Sequence, residues 1–247
     1  MEVTITVDLK KVTKEIDGAK RQVLFAAAKT LTQIAKQTEA ATRETMRREF
    51  DRPTPWTLNS LRTLPATKTK LEATVKLKDD AAKSLTAAKA LKHQVEGGQR
   101  ANKKSEAALW RIGLLASSEM TVPGEAAKLD QYGNMSKAQI NQILSWFQAF
   151  GEQGYKANST AATRAKKAKG TRNKRGKRFY FKRDRPGRGI YEATATSWGS
   201  AIKPVLMFVR KGTYTQRIDI EQIARKQMLG FQRTFDANFA AAMATAR

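Results

Sequence analysis

Between Ala19 and Leu61 apolar and small residues recur in steps of three and four, at Val23, Ala27, Leu31, Ile34, Thr38, Ala41 and Thr45. That spacing places them on one face of a 3.6-residue helix. It predicts a long amphipathic helix over 10–50, with Gly18 as its weak point and Lys, Arg, Glu and Gln on the solvated side. The helix stops at Phe50-Asp51-Arg52-Pro53-Thr54-Pro55-Trp56-Thr57. Neither proline has an amide hydrogen to donate, and each pushes the residue before it out of the α region. A run of about 30 helical residues is about 45 Å long, roughly a domain diameter, so the rest of the chain must pack against it.

Other patterns fill in the order of elements. Val3, Ile5 and Val7 alternate with threonines and predict a strand over 2–8. Segments 58–66 and 71–78 read as a hairpin, the second arm alternating at Leu71, Ala73, Val75 and Leu77, around a turn at 67–70 with little sequence to specify it. Asp79-Asp80 closes that arm as a cap for an Ala-rich helix over 81–93. Gly97-Gly98 marks a tight turn. A helix over 105–115 and an irregular stretch over 117–134 follow. Ser136 then caps a helix, with Gln139 as its capping-box partner and Ile140, Ile143, Leu144, Phe147 and Phe150 on one face. Strands over 178–182, 190–196 and 202–209 suggest a meander. A last helix over 219–244 carries Ile220, Ile223, Ala224, Met228, Phe231, Phe235 and Phe239 on its core face. The expected class is α+β: long N- and C-terminal helices packed on a small, mostly antiparallel, twisted sheet. We expect one domain over 1–247, with a helical insertion over about 101–152 and a basic arm over about 153–178.

Charge changes this picture most. The chain has 247 residues, with 47 Lys and Arg against 22 Asp and Glu, for a net charge of +25. Solubility alone needs far less, so the balance implies a polyanionic neighbour: nucleic acid, an acidic protein surface or anionic lipid. The charge is densest after Glu152, in Arg164, Lys166, Lys167, Lys169, Arg172, Lys174 and Arg175, where too little apolar area exists to fold a segment alone. We therefore expect a mobile arm that touches either phosphates, by salt-sensitive and sequence-blind counterion release, or an acidic protein. Phe179-Tyr180-Phe181 beside it reads as a core strand in preference to a base-stacking platform. The chain has no cysteine, which excludes disulfides and thiolate metal sites. There is no apolar leader and no run of about 18 apolar residues, so we expect a soluble, cytoplasmically made protein without membrane contact.

Candidate chemistry is sparse. His93 is the one histidine; it lies at the end of a Lys-rich helix and reads as a helix-terminal residue favoured by the dipole. Asp79-Asp80 reads as a turn, not a ligand pair, and Gly170–Gly176 lacks the strand–loop–helix frame of a phosphate loop. We expect no enzyme activity, no metal and no cofactor. In the Pro-rich turn, Asp51 is expected either to pair with Arg52 or to bond turn amides, Pro53 and Pro55 to fix the exit path, and Trp56 to anchor in the core. The other reading makes this turn a docking knob.

The turn Phe-Asp-Arg-Pro-Thr-Pro-Trp-Thr-Leu-Asn-Ser-Leu over 50–61, the strand over 71–77 and Val95-Glu96-Gly97-Gly98 within 95–100 resemble tailed-phage and prophage proteins. The resemblance is to the minor tail protein Z-like, tail-completion (head–tail joining, neck) group. At motif level it covers 50–61 and 95–100; in layout it covers most of the chain, which is longer than compact members by an insertion over roughly 101–176. It implies a non-enzymatic virion component that assembles in the host cytoplasm as a homo-oligomeric ring, usually six-fold. Such a ring sits between the portal or adaptor complex and the tail tube or tail terminator. The group has no catalytic residues to carry over. The alternative from charge alone is a sequence-nonspecific nucleic-acid-binding protein acting through the basic arm.

Overall fold

A computed structural model describes residues 2–6, 20–80 and 85–244. In chain order its elements are β1 (Glu2–Thr6), α1 (Lys20–Glu49), α2 (Pro55–Leu58), β2 (Leu61–Leu64), β3 (Glu72–Leu77), α3 (Ala87–Val95), α4 (Lys104–Arg111), β4 (Glu119–Pro123) and α5 (Lys137–Trp146). After a 3-10 segment over Glu152–Ala157 come α6 (Ala161–Lys169), β5 (Gly170–Thr171), β6 (Lys174–Arg175), β7 (Lys177–Lys182), β8 (Gly189–Thr196), β9 (Gly199–Arg210), α7 (Ile220–Met228) and α8 (Phe231–Ala244). The class is α+β, as the periodicities predict. The expected helix over 10–19, the end of the first strand and the start of the Ala-rich helix at 81–84 lie outside the described residues.

The chain forms two compact units, not one domain. One comprises 1–98 and 214–247; the other, 99–213, is inserted in it. The insertion is therefore not the helical 101–152 that composition suggests. It takes in the later strands as well, because β4 and β7–β9 hydrogen-bond with one another and not with β1–β3. Each unit has its own apolar core.

In the outer unit β3 is the centre of a three-stranded antiparallel sheet ordered β1-β3-β2. Val3, Ile5, Leu61, Ala73, Val75 and Leu77 present one apolar surface to Leu31, Ile34, Ala35 and Met46 of α1, with Leu91, Val95, Ile218, Ile220 and Ala224 completing the core. Burying α1 includes burying threonines, and Thr30 and Thr42 satisfy their hydroxyls on the carbonyls of Ala26 and Thr38 at 2.8 and 2.7 Å. Near its end the buried positions are Thr42 and Met46, one residue beyond the expected Ala41 and Thr45. The turn at 67–70 is specified after all: Thr67 Oγ1 accepts from the Lys70 amide at 2.9 Å. Thr86, not Asp79 or Asp80, caps α3, while Asp80 pairs with Arg62. The terminal helix is broken at Leu229-Gly230, where glycine lowers the helical preference, so α7 and α8 are separate. On α8 the buried residues are Asn238 and Ala242. Asn238 Nδ2 donates to Thr30 Oγ1 at 3.0 Å and Gln33 Oε1 at 3.3 Å, tying α8 to α1.

In the inserted unit the sheet is antiparallel, ordered β4-β9-β8-β7, with β7-β8-β9 the expected meander. Phe179, Ile190, Leu206 and Phe208 on one face pack with Ala108 and Leu109 of α4 and Ile143 and Leu144 of α5. The stretch expected to be irregular contains β4. The capping box at Ser136 does not form; Ser136 makes no side-chain cap bond. Gln139 instead is buried, accepting from the Lys128 amide at 2.7 Å and donating to the Ala126 carbonyl at 2.9 Å, which holds the loop before α5.

Candidate functional site

The basic segment is not the mobile arm its composition suggests. Thr160 caps α6, accepting from the Thr163 amide at 3.2 Å, and the chain then doubles back through the β5–β6 hairpin. Two glycines allow the close approach. A Cβ on Gly176 would lie 2.0 Å from the Ala168 carbonyl oxygen, and one on Gly170, at φ +75°, would lie 2.4 Å from the Gly176 nitrogen. Helix and hairpin thus support each other although neither has a core of its own.

This arrangement divides the expected contact residues. Arg164 turns inward, its Nη1 donating to the Ser159 carbonyl at 2.8 Å, and Lys167 Nζ donates to Ser159 Oγ at 3.4 Å. Arg164 serves the fold, whereas Lys167 stays exposed. Lys166, Lys169, Arg172, Lys174 and Arg175 are exposed, and none is in an ion pair among the described residues. Across 99–213 there are 23 Lys and Arg against 7 Asp and Glu, and three of those acids are buried.

No motif or spacing in the sequence singles out those three acids. Glu106, fully buried, receives Arg100 in two bonds of 2.6 and 2.8 Å, the Lys103 and Thr121 amides at 2.8 Å each, and Thr121 Oγ1 at 3.1 Å. Burial pushes its carboxyl up, but Arg100 and the two amides more than reverse this and hold it down at about 2. Glu119 is likewise buried, and the Ala116 amide with Arg185 and Arg188 outweighs its desolvation and lowers it. Arg188 also lies 5.0 Å over the Phe181 ring. Glu192 is paired with Lys177. The negative charge of this unit is thus partly neutralised internally, and its outer surface is left strongly positive.

The Pro-rich turn is built as a rigid feature. Thr54 caps α2 with Pro55 in its first turn, where a missing amide costs nothing. Arg43 Nε of α1 donates to the Leu58 carbonyl at 3.0 Å. Asp51 pairs with Arg52 at 3.1 Å as expected. Trp56, however, does not anchor in the core. It is 53% exposed, because the carbonyl and cap bonds fix the turn and leave the indole pointing out. Trp56 and Leu85 line a cleft of about 450 Å³ with Asn59, Lys78 and Thr86.

His93 lies in the last turn of α3, edge-on to Tyr214 at 4.6 Å. Among the described residues no group of His, Asp or Glu is placed to hold a metal ion, and no helix is long and apolar enough to cross a membrane. Comparison with known proteins finds no matching family model, no matching curated protein and no matching solved structure.

Proposed function

We propose that this chain is a structural component of a tailed-phage virion, a neck or tail-completion protein that forms a homo-oligomeric ring joining the head to the tail. One observation carries the reading. The segment over 50–61 that resembles the neck group is a rigid turn at the end of a 30-residue helix, and it presents an exposed indole. A half-exposed Trp on a turn held by backbone bonds is an anchor that buries on association, the pattern of an interface hot spot. Its partners are a neighbouring subunit, the portal or adaptor side, or the tail tube or terminator.

The test uses the phage or prophage that encodes the chain. Trp56→Ala is expected to leave the purified protein as stable as wild type and to leave filled heads and unattached tails in micrographs. Joined particles at wild-type yield, or absence of the chain from purified virions by mass spectrometry, would overturn the proposal. The exposed cations of α6 and the β5–β6 hairpin favour a second reading, sequence-nonspecific binding of nucleic acid. If the five free cations contact phosphates, log affinity for duplex DNA falls linearly with log salt, at a slope of about −0.9 per contact. Lys174→Glu with Arg175→Glu then flattens the slope. No DNA binding at low salt would remove this reading.

A further inference from the structure

The four-stranded sheet of the inserted unit has a second face. Strand residues alternate: Phe179 and Phe181 enter the core while Arg178, Tyr180 and Lys182 point the other way. The register places Tyr191 opposite Tyr180; the register shift beside it leaves Val205 as an extra residue on β9, and Val205 and Leu206 are both buried. No residue of this second face belongs to the unit's apolar core. The two tyrosine rings stack, centroids 5.7 Å apart and planes 17° from parallel. Arg178 and Lys182 flank Tyr180 on β7, an edge strand, about 13 Å apart at about 3.3 Å per residue. Neither cation is in an ion pair among the described residues, and no carboxylate alternates onto this face. Beyond the last β7 pair, the β8–β9 hairpin continues, joined to the basic hairpin by the Ala195 amide donating to the Gly176 carbonyl at 2.9 Å. At its tip Trp198 is 99% exposed.

We propose that this open face binds single-stranded nucleic acid. Unpaired bases stack on the Tyr180–Tyr191 pair and on Trp198, while Arg178, Lys182 and the neighbouring basic hairpin take the phosphates. On the β7–β8 side of this face, rings interleaved with cations and free of carboxylates match a polyanion that carries flat faces, whereas the β4–β9 side is apolar (Met120, Val122, Met207 and Val209); stacking is sequence-tolerant because every base has a flat face. A duplex hides those faces in its own stack, so the surface discriminates by strand state. The inference is independent of a virion role and differs from duplex contact through the arm, because its readers are tyrosines and not lysines.

Fluorescence anisotropy of the full chain with a labelled 20-nucleotide oligo(dT), and with a 20-base-pair duplex at the same salt, tests it. Tighter binding of the single strand is expected. Tyr180→Ala and Tyr191→Ala are expected to weaken it roughly 5- to 150-fold per stacked base, with duplex affinity and salt slope unchanged, and Tyr→Phe at either position is expected to retain it. Equal or tighter duplex binding, indifference to both alanine variants, or concentration-dependent self-association through this face without oligonucleotide binding would overturn it. Should an alanine variant fail to fold, ultraviolet cross-linking of wild type to a 5-iodouracil oligonucleotide decides: adducts in 178–202 support the proposal and adducts confined to 164–175 refute it. Head–tail joining in the Trp56→Ala phage is read separately, so failure of either proposal is recognisable as its own.

Discussion

Glu106→Gln puts a number on the internal pairing of charge in the inserted unit. The carboxylate accepts five hydrogen bonds from three separate places: Arg100 just after the chain enters the unit, the Lys103 amide at the start of α4, and Thr121 on β4. Glutamine keeps the shape but has one acceptor oxygen, and it turns an amide NH2 toward groups that also donate. A carboxyl held at about 2 instead of 4.5 corresponds to about 3 kcal/mol in favour of the folded state. Loss of one partner of a buried pair costs a similar 3–5 kcal/mol. For a unit of this size we expect the variant to melt roughly 10–15 °C lower at pH 7. The pH dependence has a definite sign. The folded-state value is depressed, so the contribution is present above about 4.5 and is lost as pH falls toward about 2, where protonated glutamate and glutamine become alike. Differential scanning calorimetry or near-ultraviolet circular dichroism of both proteins between pH 7 and 2 should show a wide gap in melting temperature that closes across that window. A variant that melts within about 2 °C of wild type at pH 7, or a gap that persists unchanged to pH 2, would falsify the account of Glu106 as a charged staple.

Other substitutions test other joints. Asn238→Leu, which strands the Thr30 hydroxyl and Gln33 against an apolar side chain, should cost about 1–3 kcal/mol and lower the melting of the outer unit only; an unchanged denaturation midpoint would show that this polar tie does not hold α8 to α1. Gly176→Ala drives a methyl into the Ala168 carbonyl, so amide exchange over 161–176 should accelerate while the β8–β9 amides keep their protection. Trp56→Ala, an exposed truncation, should change stability by less than about 0.5 kcal/mol; a loss of several kcal/mol in urea unfolding would mean that the indole is buried.

Much of the outer unit was legible because its patterns are local. The three-and-four spacing from Val23 to Thr38 and the alternation from Ala73 to Leu77 each need only one element to be read, and the prolines after Phe50 stop α1 where they should. What failed depended on partners distant in sequence. The division into two units rests on β4 pairing with β9, some 90 residues away, and nothing near Glu119 announces that. Gly230 breaks the terminal helix inside an apolar pattern that runs on through Phe239, and only packing on α1 decides whether a helix bends there. Ser136 and Gln139 have the spacing of a capping box, yet Gln139 finds better use holding the loop at Ala126 and Lys128. Trp56 misled because a large aromatic beside prolines suggests an anchor, whereas backbone bonds already fix that turn. The basic stretch lacks apolar area, but Gly170 and Gly176 let it fold by close backbone approach. Glu106 and Glu119 carried only a weak signal, each a lone acid in a strongly basic part of the chain. Tyr180 carried a better one, since alternation alone separates it from Phe179 and Phe181.

Gly98 and Tyr214 exchange two backbone hydrogen bonds of 2.9 Å, so the outer unit is continuous except for a crossing pinched shut at one point. Closing that crossing with an unfolded 115-residue excursion costs entropy that grows only as the logarithm of its length. A pre-folded insert shortens the effective loop further. The order of synthesis favours this: the inserted unit is complete on the ribosome before α7 and α8 are made. The outer unit, which needs those two helices for its core, is then obliged to mature last. A short glycine linker in place of 99–213 should let it form without waiting, and this makes the insert a module that can be exchanged between scaffolds without redesigning the one that carries it.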